Sequence, residues 1–187
     1  PFSGAPEKLQ ATLYSLLDNQ LPVEILMEHH LKGKTSQYPL IVIPECQSIE
    51  PELLSELKSY IQNGGNLLVI GSETAKIFKD ELGIESIADI EEKPIFLSAA
   101  KRLGAIRSTL ADVKLTNEAQ VLSRFYDVCD YRDESQIIAS SMRKAGKGQI
   151  AAIYFNAGSS YAQSKTFVIS DFIKETIDKL SPEKQIE

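Results

Sequence analysis

The sequence is poor in the residues that build metal centres, disulfide frameworks and histidine-based catalytic sites. Among 187 residues it has two cysteines, Cys46 and Cys129, two adjacent histidines, His29 and His30, and no tryptophan. The cysteines lie far apart without a CxxC pair, so neither a disulfide framework nor a zinc site is expected. The histidines directly follow an apolar strand pattern, and successive strand residues point to opposite faces. We therefore predict neither a metal site nor a cofactor.

Basic residues are also in short supply. Lys and Arg total 20 against 26 Asp and Glu, for a formal net charge of −6. Phosphate binding requires concentrated Lys and Arg, so nucleic acid and anionic membrane surfaces are not expected as main partners. No apolar run approaches the roughly 18 residues that cross a bilayer. The first ten residues, PFSGAPEKLQ, lack the apolar core of a signal peptide.

What remains is the composition of an ordinary globular domain. Hydrophobic residues make up 43% and charged residues 25% of the chain, which argues against disordered and fibrous classes. The length suits one large hydrophobic core better than two. We predict a single domain over residues 1–187, excised from a larger protein because the chain starts without Met. The compartment stays open, and an exported parent, periplasmic or secreted, is one option.

The first half of the chain alternates helical and strand patterns. Residues 6–20 place four leucines on one helical face: Leu9, Leu13, Leu16 and Leu17. Strands are predicted where Val23, Ile25 and Met27 alternate, and at the apolar runs 40–43 and 66–70. A helix begins at Pro51 and ends at the Gly64–Gly65 pair, and a short helix ends at Gly83. This alternation predicts a parallel sheet between two helical layers.

The second half is less regular. Short strands are predicted at 94–97, 113–115 and 120–126, as an insertion or an antiparallel edge. Two strand runs then flank KAGKG, whose glycines suit a tight hairpin. A last helix over residues 165–180 has the apolar stripe Phe167, Val168, Phe172, Ile173, Ile177 and Leu180. The predicted fold is a three-layer, flavodoxin-like α/β domain with a mostly parallel sheet and an antiparallel C-terminal hairpin.

The stretch GGNLLVIGSETAKIF, residues 64–78, has the strand–turn–helix pattern of a nucleophile elbow. Gly71 and Ala75 fill the small positions on either side, so Glu73 stands where the nucleophile would be and Ser72 comes one residue too early. A serine nucleophile needs a base within reach, and both histidines lie early in the sequence. We predict that Ser72 caps a helix beginning near Thr74 and that Glu73, ionised at its start, is an unpromising nucleophile.

Two other functions are compatible with the polar residues at the strand ends. Glu45 follows the second predicted strand and Glu73 the third, so both should lie at the carboxyl edge of a parallel sheet, where open α/β folds bind ligands. A pair of carboxyls roughly 5 to 10 Å apart could hydrolyse glycosides, and a hydrolase with an atypical site at Ser72 or Glu73 is the related alternative. Alternatively, Glu45, Ser72, Glu73 and Asn156 could bind a small ligand such as a sugar or an amino acid.

Two longer stretches carry a family resemblance: VEILMEHHLKGKTSQYPLIVIPECQSIEPELLSELKSYIQNGGNLLVIG and RKAGKGQIAAIYFNAGSSY. They resemble the β-galactosidase trimerisation domain of multidomain glycoside hydrolases, which belongs to the class I glutamine amidotransferase-like superfamily. Active members of that superfamily use a Cys at the elbow and the His and Glu of an F-H-P-E motif. Here Glu73, Asn156 and Gly158 stand at the matching positions, and neither Cys46 nor Cys129 is at the elbow.

The resemblance therefore implies a module that has lost the amidotransferase triad. It implies no catalysis by this domain, with no catalytic residue of its own. Its implied role is structural, packing against or assembling the catalytic glycosidase domain of the same parent chain. A homo-oligomer is compatible with that role.

Overall fold

The computed structural model describes residues 5–181. Its helices are α1 (Ala5–Leu17), α2 (Glu28–Leu31), α3 (Pro51–Gln62), α4 (Ser72–Ile77), α5 (Lys79–Leu82), α6 (Ala157–Ser164) and α7 (Phe167–Leu180). Its strands are β1 (Leu40–Ile43), β2 (Asn66–Ile70), β3 (Ile84–Ala99), β4 (Arg102–Leu115), β5 (Gln120–Tyr126), β6 (Glu134–Ala145) and β7 (Gly148–Ile153).

The seven strands form one mixed sheet in the order β1-β2-β7-β6-β5-β3-β4. β1, β2 and β7 pair in parallel, and the remaining pairings are antiparallel. The predicted α/β class and the β6–β7 hairpin are confirmed, with Gly146 supplying the positive φ of its turn. Parallel pairing is confined to β1, β2 and β7, and the antiparallel part is larger than the sequence predicted.

Hydrophobic side chains pack on both faces of this sheet. In β2, Leu68 and Ile70 face a first cluster that includes residues of α1, α6 and α7. Leu67 and Val69, which alternate with them, face a second cluster that includes residues of α3, α4 and α5. Side chains of a strand buried on both faces form a continuous apolar run, and each contributes roughly 1.5–3 kcal/mol on full burial. The arrangement is consistent with three layers.

The β3–β4 hairpin is much longer than the short strands predicted in this region. It pairs from Ile84↔Leu115 to Ala99↔Arg102, with a register shift between Ile90 and Lys93. Its turn residues, Ala100 and Lys101, have positive φ values without being Gly or Asn, so the sequence carries no hairpin signal there. The antiparallel-edge interpretation is confirmed, because the hairpin joins the sheet beyond β5.

Three details of the first half differ from the predictions. Residues 21–27 form no strand ladder with any other described residues, although their apolar residues alternate. On α1 the predicted stripe is wrong at Leu17, which is 47% exposed, because Ala11 and Thr12 face the interior instead. His29 and His30 lie on α2 and not at the end of a strand, with their ring centroids 3.9 Å apart. On α7, Phe167 is likewise exposed and outside the buried stripe.

Candidate functional site

Glu45 lies just beyond the carboxyl end of β1, and its side chain is only 5% exposed. The backbone N–H of Ser159 donates to Glu45 Oε1 at 2.9 Å, and the Ser159 hydroxyl donates to Oε2 at 2.6 Å. The ammonium of Lys8 stands 3.8 Å from the same carboxylate. A buried carboxylate of this kind needs such donors to offset its loss of hydration.

The carboxylate of Glu45 occupies the first turn of α6. Asn156 precedes this helix and makes no side-chain capping bond, so the helix lacks a local cap. Free N–H groups at a helix start attract anions, through hydrogen bonds and through the helix dipole. Glu45 supplies that anion from a distant part of the chain. The position where a small anion could bind α6 is therefore filled by the protein itself.

Two glycines allow the surrounding segments to come this close. Gly71 has φ +94°, and a Cβ there would lie 3.0 Å from Glu45 Cγ and 3.5 Å from Asn156 Oδ1. A Cβ on Gly158 would lie 2.6 Å from Thr12 Oγ1 and 3.0 Å from the carbonyl oxygen of Lys8. The start of α6 is thus packed against α1 and Glu45 with no room for a side chain at either glycine.

Ser72 and Glu73 belong to a different set of contacts. Ser72 is 4% exposed and is the first residue of α4, whose N-cap is Gly71. The prediction that Ser72 caps this helix is therefore wrong. The helix begins at Ser72 itself, earlier than the pattern indicated, and Gly71 is the residue at the N-cap position. The Ser72 hydroxyl instead helps to lower the pKa of Asp89, after the larger effect of Lys76.

Glu73 points to solvent, with its side chain 54% exposed, and forms an ion pair with Lys76. Lys76 also donates to Asp89 Oδ2 at 2.7 Å. The hydrogen bonds that Lys76 donates, first to Asp89 and then to Glu73, raise the pKa of Lys76. Carboxylates held by one shared cation on the surface are a common structural arrangement with modest energies. The lowered pKa of Asp89 makes its carboxylate a weak base for activating the Ser72 hydroxyl.

Cys46 is a residue that the sequence did not place near the elbow. Its backbone N–H donates to Thr74 Oγ1 at 3.0 Å, and its Sγ lies 3.8 Å from the same oxygen. Burial, the largest influence, raises the pKa of the Cys46 thiol. A thiol nucleophile reacts as the thiolate, which a raised pKa disfavours. The cysteine beside the elbow is thus poorly suited to nucleophilic attack.

The structure therefore divides the four predicted ligand residues into two pairs. Glu45 and Asn156 both lie close to Gly71, whereas Ser72 and Glu73 interact with the Lys76–Asp89 group. The contacts of Glu45 with Ser159 and Lys8 were missed, because 114 residues separate Glu45 from Ser159 and no local pattern signals the pairing. Within residues 5–181, no group of three or more His, Cys, Asp or Glu residues is arranged to hold a metal ion.

A groove of about 830 Å³ lies at the other, amino end of the sheet. It is lined mainly by polar residues of the segment before β1, of α3 and of the α3–β2 turn. Tyr60 fixes this region, because its hydroxyl donates to the carbonyl oxygen of Tyr38 at 2.9 Å and accepts from the N–H of Asn66 at 3.2 Å. The groove does not include the four predicted ligand residues, Glu45, Ser72, Glu73 and Asn156. In the described part of the chain, no helix is long and apolar enough to cross a membrane.

Comparisons with known proteins bear on the fold. No protein-family model matches the sequence, and no curated protein matches it. Among solved structures, the GH42 β-galactosidase Gan42B from G. stearothermophilus matches with a TM-score of 0.70 and 19% identity, over 96% of this chain and 26% of that one. The exo-β-1,4-mannosidase Op5Man5 from Opitutaceae bacterium strain TAV5 matches with a TM-score of 0.67 and 15% identity, over 90% of this chain and 31% of that one.

The same fold also occurs in a protein of similar size. The cytoplasmic protein STM3548 from Salmonella typhimurium matches with a TM-score of 0.62 and 14% identity, over 90% of this chain and 85% of that one. At such identities the likeness concerns the fold alone. The chain spans about a quarter to a third of the glycosidases it matches, so its structure corresponds to one part of those larger proteins.

Proposed function

We propose that this chain is a non-catalytic structural or assembly module of a glycoside hydrolase. Its partner is the catalytic glycosidase domain of the same parent chain, and it helps to hold or assemble that domain. We further propose that its fold is flavodoxin-like and belongs to the class I glutamine amidotransferase-like superfamily, near the β-galactosidase trimerisation domain.

The observation that carries the proposal is the asymmetry of the structural matches. Nearly the whole chain aligns with Gan42B, yet it covers only 26% of that β-galactosidase. The match with Op5Man5 shows the same asymmetry, at 90% against 31%. A segment that recurs with this fold in glycosidases of different sugar specificity fits an accessory role better than recognition of one substrate.

The carboxyl edge of the sheet supports a role without catalysis. Open α/β folds bind ligands at this edge. Here the Glu45 carboxylate lies at the start of α6 and accepts the hydrogen bonds of the Ser159 N–H and hydroxyl, which are therefore not free to bind a ligand. Glu73, at the position of a nucleophile, is paired with Lys76 at the surface. A catalytic pair would need two carboxyls facing one substrate, and these two have separate partners.

An assay of the isolated chain tests the absence of catalysis. We expect no hydrolysis of p-nitrophenyl β-galactoside, β-mannoside or α-fucoside, and no release of ammonia from glutamine. Reproducible turnover that Glu45→Gln or Glu73→Gln abolishes would overturn the proposal and favour an atypical hydrolase. Calorimetry with a panel of sugars and amino acids tests the ligand-binding alternative, which saturable heat would support.

The size of the native protein tests the proposal that this chain is one module of a longer glycoside hydrolase. An antibody raised against this chain should capture, from the source cells, a polypeptide much longer than 187 residues that hydrolyses a glycoside. A native polypeptide of 20.7 kDa would contradict the proposal. Deleting the module from the longer protein should change its assembly state, measured by light scattering, while peptides of the catalytic domain stay folded.

A further inference from the structure

Two neighbouring parts of the chain leave backbone hydrogen-bonding groups unused. Among residues 5–181, β1 is the outermost strand and pairs only with β2. Residues 22–26 form no backbone hydrogen bond with any part of the chain that the structure describes. Val23, Ile25 and Met27, in and next to that segment, are 37%, 49% and 59% exposed. An open sheet edge and an unpaired apolar segment are both features that proteins normally cover.

The positions of α1 before residues 21–27 and of Glu28 after them define the direction in which this segment runs. α1 starts near the carboxyl end of β1, where Lys8 approaches Glu45, and its 13 residues extend roughly 20 Å away from it. Glu28 is back at the carboxyl end, because its carboxylate accepts the backbone N–H of Glu50, the N-cap of α3. Seven residues cover this length only if they are nearly extended, at about 3.3 Å each. The segment therefore runs in the same direction as β1.

The segment also lies in the plane of the sheet. Leu21 packs against the first hydrophobic cluster and Leu26 against the second. The side chains of β1 divide in the same way, with Leu40 and Val42 on the first cluster and Ile41 and Ile43 on the second. Two extended segments thus run side by side across both faces of the sheet, yet no hydrogen bond joins their backbones in the described structure.

We propose that one further strand inserts between β1 and residues 21–27 and pairs with both. The insert is a strand because the two extended segments on either side of it have no backbone hydrogen bond to each other in the described structure. Its side chains must be apolar on both faces, because both neighbours alternate between the two hydrophobic clusters. It runs parallel to β1, since a right-handed crossover through α1 then connects it to residues 21–27.

This inference rests on the proposed function, because the strand comes from the same polypeptide, just ahead of α1. A strand parallel to β1 ends at the carboxyl edge, where α1 begins beside Glu45. Residues 21–27 would then take the place of β1 as the edge of the sheet, and the side chains of the added strand would cover part of Val23 and Ile25.

The experiment compares the 187-residue chain with two extended forms. In one, a copy of the β2 sequence Asn66–Ile70 is fused ahead of Pro1. In the matched control, glutamate replaces all four apolar residues of that added strand. Amide hydrogen exchange is followed at residues 22–27 and 40–43. We expect the apolar extension to slow exchange in both segments roughly tenfold or more, and the glutamate extension to leave it unchanged.

Two results would overturn the inference. Equal exchange in all three proteins would show that no strand position is available. Slow exchange of both segments in the chain without extension would show that they pair directly with each other. Because these measurements use the isolated chain and no glycosidase, they are independent of the test by antibody capture. A native protein of 187 residues would remove the proposed function and leave the exchange result intact.

Discussion

Glu45 and Glu73 make an instructive comparison, because each follows a parallel strand at the same edge of the sheet and their surroundings differ completely. The Glu45 side chain is 5% exposed and receives two hydrogen bonds from Ser159. The Glu73 side chain is 54% exposed and pairs with a surface lysine. From sequence alone, both were candidates for the same ligand site. Position at the carboxyl edge is therefore not sufficient to assign a functional role.

The difference arises from the helix that each carboxylate meets. Glu73 lies in the first turn of its own helix, α4, where solvent is within reach. Glu45 lies on a loop and meets the start of α6, a helix that follows β7 more than 100 residues later in the chain. A buried carboxylate at a helix start couples two distant segments, and its removal leaves donors without a partner. Substitutions at the two positions should therefore have very different costs.

The largest expected effect is that of Glu45→Ala. The substitution removes both acceptors of Ser159 and leaves its backbone N–H and hydroxyl without their partner in a half-buried site. Hydrogen bonds to charged groups contribute about 1.5–3 kcal/mol each, so we expect the free energy of unfolding to fall by roughly 2–3 kcal/mol. Urea unfolding followed by circular dichroism measures this loss.

Glu73→Ala is the matched control, since it removes the same side chain one strand away. Exposed ion pairs contribute between about 0 and 1 kcal/mol, so its effect should be small. Glu45→Gln should fall between the two, because the amide oxygen still accepts one hydrogen bond from Ser159. Equal losses for Glu45→Ala and Glu73→Ala would show that burial does not distinguish the two positions.

The second prediction concerns the close approach of α1 and α6. A Cβ on Gly158 would meet Thr12 Oγ1 at 2.6 Å and the Lys8 carbonyl oxygen at 3.0 Å. Overpacking of this kind costs about 1–3 kcal/mol, so Gly158→Ala should lower the free energy of unfolding by an amount in that range. The same denaturant titration measures it.

A double-mutant cycle identifies the cause of that loss. The Thr12 hydroxyl is buried without a hydrogen-bond partner among the described residues, and Thr12→Ala removes the nearest obstacle. Gly158→Ala should therefore cost less in the Thr12→Ala background. The same cost in both backgrounds would place the strain elsewhere, for example against the Lys8 carbonyl group, which Thr12→Ala leaves in place.

How far sequence predicts this molecule depends on how local each feature is. The apolar runs of β1 and β2, Pro51 at the start of α3 and Gly83 after α5 are local signals, and the structure has each element where these signals place it. The β3–β4 hairpin lacks such a signal, because its turn is Ala100–Lys101 and much of β3 is exposed on both faces.

The candidate site was predictable only in part. The strand ends identify Glu45 and Glu73 as residues of the carboxyl edge, but they do not indicate which one becomes buried. No local sequence signal indicates the role of Ser159, because its contact with Glu45 depends on how α6 packs in the folded chain. Residues 21–27 show a further limit. Their alternation predicts a strand, and in this structure they have no neighbour to pair with, which is why the predicted strand is absent.

The smallest expected effect on the free energy of unfolding concerns Asp89, which shares Lys76 with the exposed Glu73, and this effect depends on pH. The hydrogen bond from Lys76, followed by that from Ser72, lowers the pKa of Asp89 below its ordinary value of 3.8. A carboxyl with a lowered folded-state pKa contributes stability above its unfolded pKa, and this contribution is lost as the pH falls through the folded value. The contribution of Asp89 should therefore be constant near neutrality, begin to fall near pH 4 and be lost as the pH drops through the lower folded-state value.

Asp89→Asn tests this dependence when both proteins are unfolded in urea between pH 3 and 7. At neutral pH the variant should be less stable by no more than about 1 kcal/mol, as expected for a surface pair. Below about pH 4 the two curves should converge, because protonated Asp89 no longer pairs with Lys76 as a carboxylate. A constant difference across the whole range would mean that the loss comes from packing. In that case packing at Ser72 and the buried start of α4 would hold Lys76, Glu73 and Asp89 in place. The surroundings of Glu73 would then resemble those of Glu45 more closely than the solvent exposure of Glu73 indicates.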